Sequence, residues 1–387
     1  MPDGGDPARV RVVERLAEVP AAEWDACAGG DNPFLSHAFL EALEASGSAT
    51  AETGWLPQHL LVEDAEGHLI GAVPLYLKSH SYGEYVFDHG WAQAYERAGG
   101  SYYPKLQSAV PFTPVTGPRL LVRAGAPSAV EETLIAALPE IARAHKVSSL
   151  HVTFPPRAQW ERLGEAGFLQ RTGQQFHWEN RGYGSFEDFL EALNSRKRKQ
   201  IRRERRDALA GGLEIETLTG AALEPRHWDA FYRFYRSTTD RKWGDAYLTR
   251  EFFGLLHERL AGRVVLMLAR QGKRYVAGAL NLLGRDTLYG RNWGCVGDFP
   301  FLHFELCYYC ALDFAIERGL ARVEAGAQGA HKIQRGYLPT PTYSAHWIRD
   351  RSFRTAVEKF LARERESVAA EMEELGEELS PFRREAE

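Results

Sequence analysis

The chain has 387 residues, 44% of them hydrophobic and 12% aromatic, with a formal net charge of −5. That length exceeds one ordinary core and predicts two domains, or two halves of a composite fold. No run reaches the roughly 18 uncharged apolar residues of a membrane-spanning helix, and the N-terminus carries acids in place of the apolar core of a secretory signal.

Four cysteines without a regular framework fit a reducing compartment, so a cytoplasmic protein is expected. The charge is unevenly spread. Residues 196–206 (RKRKQIRRERR) hold eight lysines and arginines against one acid, a local +7 that leaves −12 to the rest of the chain. This pattern excludes a protein that coats nucleic acid uniformly and suits one basic feature facing one anionic ligand.

In chain order, Ser36 caps a predicted helix over residues 37–46, with Pro33 just before it. Two strand runs, 58–64 and 68–79, meet at the turn Ala65-Glu66-Gly67. A third strand is predicted over 84–91, leading through Gly99-Gly100 to a helix over 102–110. A helix over 130–146 feeds a buried strand at 148–154, and a short helix at 158–167 with a strand at 168–180 closes this half. The second half repeats the order. Residues 264–284 form two strands around a glycine turn, followed by a strand at 287–295, a helix at 301–319, a strand at 321–326, a loop and a strand at 342–350. The repetition predicts a duplication.

Between the halves, one helix over 185–212, a strand at 213–220 and helices at 225–244 and 249–262 are predicted. The tail, 352–379, reads as an amphipathic helix packing through Phe353, Val357, Phe360 and Leu361. Alternating strands and helices with short links predict an α/β class.

The richest segment is 323–347, where Glu324, Gln328, His331, Lys332, Gln334, Arg335 and Tyr337 crowd a glycine-punctuated loop after a strand. Rigid elements position such loops and the loops carry chemistry. Acylation of an amine needs a base and a group to stabilise the carbonyl oxyanion. His331 has the pKa range for the first, Lys332 and Arg335 suit the second or could hold an anion, and Glu324 could orient either. His331, Lys332 and Glu324 are thus the candidate catalytic residues. The alternative is that Glu324, Lys332 and Arg335 only pair with one another to fix the loop.

On the basic helix, Arg198, Arg202, Arg205 and Arg206 fall near one face, with Ile201 marking the buried side. Stacked guanidinium groups suit a phosphate or pyrophosphate. Further substrate-binding candidates are Asp88 at the end of the third strand, Tyr103 and Lys105 leading the next helix, and Asn292 beside Trp293. Asp88 and His89 point opposite ways on a strand, so at most one faces a cleft. A turn that grips the CoA pyrophosphate needs glycines at a helix N-terminus; Gly99 and Gly100 are the candidates, and they match the pattern only in part. Cys307 and Cys310 lie mid-helix among apolar residues and read as packing. The 13 histidines show no metal-binding spacing, so no metal is expected.

The segment FEDFLEALNSRKRKQIRRERRDALAGGLEIETLTG resembles one found in FemAB-type aminoacyltransferases and related GNAT-like proteins. GAQGAHKIQRGYLPTPTYSAHWI, NPFLSHAFLEALEASG and YYPKLQSAVPFTPVTGPRLL are similar to a bacterial FemAB-like subfamily described as peptidoglycan biosynthesis/recognition. The likeness runs over residues 32–383.

It implies tandem GNAT-like domains of α/β (α+β) class: a lead-in at 1–31, a first domain at 32–180, a second at 181–350 with the basic helical insert 185–260, and a C-terminal helix at 351–387. It implies acyl or aminoacyl transfer to an amine, with an aminoacyl-tRNA or acetyl-CoA as co-substrate and no tightly bound cofactor. Direct attack without a covalent intermediate is expected, since no Cys or Ser nucleophile motif stands out. In FemX-like relatives the basic helix helps bind a UDP-linked muropeptide, and the matching positions here are Lys197, Arg198 and Arg202. The expected partners are therefore a phosphate-bearing, UDP-muropeptide-like substrate held between the two halves, and tRNA, without membrane insertion.

The chain departs from the subfamily at Ala330, where a Glu is frequent, and it has no room for the long helical arm of some Fem proteins. An acetyl-CoA-dependent N-acetyltransferase, and a non-catalytic module binding cell-wall precursors or RNA, are the competing expectations.

Overall fold

The computed structural model describes residues 9–242, 246–326 and 329–383; Gln328 lies outside them. The chain divides into two compact units, Met1–Gly173 with Pro341–Ala369, and Gln174–Thr340 with Ala370–Glu387. Both cuts fall inside strands, Leu169–Glu179 and Leu338–Ile348, and a third falls in the long helix Arg351–Glu378. The division differs from the contiguous one expected at residues 180 and 350, since residues 341–369 return to the first unit and the C-terminal helix is shared between the two.

In the first unit, Arg9–Val13, His59–Glu63, Leu69–Val73 and Leu121–Val122 form an antiparallel sheet in that spatial order. The helix Ala129–Ala144 lays Val130, Leu134, Ile135, Leu138 and Ile141 against Leu60, Val62, Val73, Leu106, Leu150 and Val152. Helical spacing gathers those side chains on one stripe, which buries the sheet face. The run expected as one strand at 68–79 breaks at Pro74, which cannot donate to a ladder. Its second part, Leu75–Lys78, joins a different sheet with Trp55–Pro57 and Lys105–Ser108, which continues through Ser149–Thr153 to residues 344–348.

Two expectations are reversed in this unit. Residues 84–91 are not a strand; a helix, His89–Arg97, begins there. Residues 102–110 are not a helix; they contain the strand Lys105–Ser108, all four of whose residues are buried. Lys105 and Gln107 are polar because they meet buried polar partners, and that removed the apolar alternation by which a strand is recognised.

In the second unit, Leu213–Thr219, Val264–Gln271, Arg274–Leu283 and Thr287–Cys295 are antiparallel neighbours. Arg322–Glu324 then pairs parallel to Thr287–Tyr289, and residues 177–179 pair antiparallel to it. The helix Pro225–Lys242 crosses this sheet at Gly294, where an added Cβ would lie 2.2 Å from the carbonyl carbon of Phe234. A backbone cannot yield as a side chain does. Gly294→Ala should therefore lower stability by about 1–3 kcal/mol, read as a reduced denaturant midpoint.

The basic region is two helices, Phe186–Ala192 and Ser195–Ala208, where a single helix was expected. Asn194 breaks it: its side chain accepts from the Lys197 amide as an N-cap, while its own amide donates to the Pro381 carbonyl at 2.9 Å. On the C-terminal helix, Val357 and Leu361 are buried and Phe353 packs on Tyr95, but Phe360 is 49% exposed, against expectation. Among the described residues no helix is long and apolar enough to cross a membrane.

Candidate functional site

The loop after Arg322–Glu324 closes into a 3-10 turn, Ala330–Arg335, framed by Gly329 and Gly336 at φ +106° and +90°. Only glycine adopts these angles at low cost, and a Cβ at Gly329 would lie 2.4 Å from the His331 ring. The turn buries Lys332, Ile333 and Arg335 and leaves His331 exposed. Lys332 is buried, and its ammonium donates to the carbonyls of Ala325 at 2.7 Å and Gly326 at 2.9 Å. Burial lowers its pKa to about 8. Arg335 is also buried, with its guanidinium 3.5 Å above the Phe304 ring. One of its nitrogens donates to both Glu204 oxygens at 2.9 and 3.0 Å, and the other to the His331 carbonyl at 2.7 Å.

Glu204 comes from the basic helix and is only 2% exposed. It also accepts from the Tyr309 hydroxyl and from Gln200 Nε2, the latter at 2.8 Å. Lys197 donates to Gln334 at 2.9 Å, and its pKa is lowered, first by burial and then by neighbouring arginines. The basic helix and the loop are therefore bound by two side-chain contacts.

His331 stays exposed, with Nε2 2.9 Å from the Tyr308 hydroxyl. Partial burial, then Arg335 and Lys332, hold its pKa below the ordinary histidine value. Phe304 lies 5.7 Å from its ring and His303 6.3 Å, and His303 in turn meets Trp293 edge-on at 5.2 Å. Tyr308 and Tyr309 sit on a five-residue π turn, Glu305–Tyr309, inside an otherwise α-helical run. Such wide turns are frequent at functional sites. Burial raises the pKa of both phenols, so both hydroxyls keep their protons near neutrality.

The alternative in which Glu324, Lys332 and Arg335 fix the loop by pairing with one another does not describe the structure. Lys332 is held by carbonyls and Arg335 by Glu204. Glu324 is buried, 3.9 Å from His177 and 3.8 Å from Arg322. Asn292 is half-buried on its strand opposite Leu280, beside a bulge.

The four arginines expected on one open face do not share one. Arg205 turns inward to Glu305 and Asp313 at 2.9 and 2.6 Å and lies over Phe186. Arg202 pairs with Glu187, and Arg206 with Asp207. Among the described residues, Arg196, Arg198, Lys199 and Arg203 have no carboxylate within 4.0 Å. At 100° per residue, Arg196, Lys199 and Arg203 form the outward stripe.

In the first unit, the sequence candidates Asp88, Tyr103 and Lys105 converge, but in a buried network. The fully buried Lys105 ammonium donates to Glu84 at 2.7 Å, to Ser81 at 2.8 Å and to Asp88. Tyr102 donates to Asp88 at 2.7 Å, and the Tyr103 hydroxyl meets Ser81 at 2.8 Å. Burial opposes the charge on Asp88, yet Lys105 holds its pKa well below the usual carboxylate range; burial raises that of Glu84 to about 7. Lys78, above the Trp55 ring, is lowered to about 7 by burial. Lys105 is thus matched internally and is not free to meet an external anion, contrary to the expectation from the sequence. Of the adjacent pair, Asp88 points in and His89 is exposed.

Gly99 and Gly100 do not precede a helix. They end His89–Arg97, with Gly99 at φ +84°. That terminus carries the negative end of the helix dipole, which is unsuited to a pyrophosphate. Among the described residues the one group with the proximity to share a metal is Asp64, Glu66 and His68. It is an exposed turn in which Asp64 caps the amides of Glu66 and His68.

Sequence reasoning missed Glu204, Tyr308, Tyr309 and Gln200. The solved structure of FemX resembles this chain with a TM-score of 0.53 at 13% identity, covering 88% of this chain and 98% of that one. L-PGS from Bacillus licheniformis gives 0.51 at 9% identity, over 83% and 95%. A conserved protein of unknown function from Bacteroides thetaiotaomicron gives 0.51 at 11%, over 88% and 100%. No curated protein matches the sequence. The fold is thus the mixed α/β one expected, and it is shared with FemX. The chain belongs to the FemAB-like family, described as peptidoglycan biosynthesis/recognition, whose pattern spans residues 15–384.

Proposed function

We propose that this protein transfers an acyl or aminoacyl group to an amine of a peptidoglycan precursor, with the chemistry at the His331–Tyr308 pair. The observation that carries this reading is the 2.9 Å contact between His331 Nε2 and the Tyr308 hydroxyl on an exposed imidazole with a lowered pKa. A neutral imidazole with its proton on Nε2 can take the amine proton at Nδ1 as the nitrogen attacks the ester or thioester carbonyl. Its Nε2 proton passes to Tyr308 while the phenol proton goes to the departing oxygen or sulfur. The new C–N bond replaces C–O or C–S, and the tyrosine and imidazole end neutral. Lys332, fixed on the loop carbonyls, supplies positive charge beside the developing oxyanion.

The donor is an aminoacyl-tRNA or acetyl-CoA. The displaced glycines Gly99 and Gly100 favour the first, because a CoA pyrophosphate needs backbone donors that they do not offer. Arg196, Arg198, Lys199 and Arg203 are the cations left for an anionic, UDP-muropeptide-like acceptor. The protein incubated with a UDP-muropeptide and each donor in turn should yield one new amide by mass spectrometry. No product with either donor, together with tight muropeptide binding, would leave a recognition module instead. Arg198→Ala with Arg203→Ala should weaken muropeptide affinity and flatten its salt dependence.

A further inference from the structure

We infer that Glu204 is a positioning residue that sets the His331–Tyr308 pair from both sides. The contacts form a closed ring. Glu204 accepts from Arg335, Arg335 donates to the His331 carbonyl, and the His331 ring meets Tyr308. Tyr308 is bonded to Tyr309 in sequence, and Tyr309 donates back to Glu204. Both members of the pair, one on the 3-10 turn and one on the π turn, are therefore referenced to a single carboxylate that lies on a third element.

A buried carboxylate is costly unless its oxygens are occupied. Here Arg335, Tyr309 and Gln200 share those oxygens, so moving any one of them disturbs the others. The same carboxylate joins the loop to the helix whose outward stripe is Arg196, Lys199 and Arg203. Glu204 touches no reacting atom; it acts through Arg335 and Tyr309. This inference rests on the proposed transfer chemistry for its effect on rate, but its geometric content does not.

The test is Glu204→Gln, which keeps the shape and one acceptor oxygen but removes the charge, with Tyr309→Phe as a second variant. His331 is followed in full-length protein by its imidazole NMR signals, assigned by their loss in His331→Ala. In Tyr309→Phe, which changes no charge, the His331 titration should move up towards that of a solvated imidazole as the ring leaves its partly buried place. In Glu204→Gln the unopposed Arg335 works against that rise, so the titration is read in Tyr309→Phe and the rate in both. Turnover should fall at least about tenfold, with KM changed less than about twofold. An unchanged His331 titration in folded Tyr309→Phe would overturn the inference, whatever the rate. If the titration moves while His331→Ala itself leaves turnover intact, Glu204 positions the pair as argued, and it is the assignment of chemistry to His331 that fails.

Discussion

Lys105→Met should destabilise the protein by about 3–5 kcal/mol, measured by denaturant unfolding at neutral pH. The methionine fits a fully buried site, but it leaves Asp88 and Glu84 without the ammonium that both now accept from. Lys78, 3.9 Å from Glu84, is too distant to replace it. One oxygen on each carboxylate already lacks a hydrogen-bond partner, so the site holds no reserve of donors. Adding Asp88→Asn and Glu84→Gln should restore part of the loss, because a neutral amide does not leave a buried charge.

The acid side follows from the same pairing. The carboxyl of Asp88 is held below its unfolded value, so its share of stability is present above about pH 4 and is lost as pH falls through the lower folded value. That loss should vanish in Lys105→Met. A destabilisation under about 1 kcal/mol would mean that water reaches the cluster.

His331→Ala should reduce turnover by about 10²–10⁴-fold, the usual worth of a positioned base, while acceptor affinity changes less than about twofold. The wild-type rate should hold through neutral pH and fall only on acidification. The imidazole must be neutral to take a proton, and burial, Arg335 and Lys332 together place its titration below the ordinary histidine value of about 6.5. An acid limb above that value, or a variant retaining more than about a third of the rate, would place the base elsewhere.

Much of the fold was legible because its signals are local. Ser36 reads as a cap and is one, and the apolar stripes of residues 130–146 and 264–284 mark their helix and strands. The reading failed where polar residues are buried. Lys105 and Gln107 disguised a core strand, and the helix starting at His89 was mistaken for the end of a strand. The loop 329–336 stood out by its composition, and His331, Lys332 and Arg335 do share one 3-10 turn. Its partner did not stand out. Glu204 looked like a weak counter-charge in a basic run, and its value depends on Arg335, 131 residues away. No spacing rule reports a contact of that kind. Arg205 was also read as one of four arginines on an anion-binding face, although it is held by Glu305 and Asp313, 100 and 108 residues distant.

The wide turn at Glu305–Tyr309 makes the site depend on chain length as well as on residue identity. An ordinary helix advances about 100° per residue, so neighbouring side chains diverge. The wider turn accommodates one extra residue, so that Tyr308 reaches His331 and Tyr309 reaches Glu204. Deleting any single residue of the turn would restore regular winding and shift the residues within it away from the positions the wide turn gives them. Both hydroxyls would be misaligned at once, although every side chain of the pair could still be present. A change of one codon in length, chemically silent on paper, would act here as a double mutation.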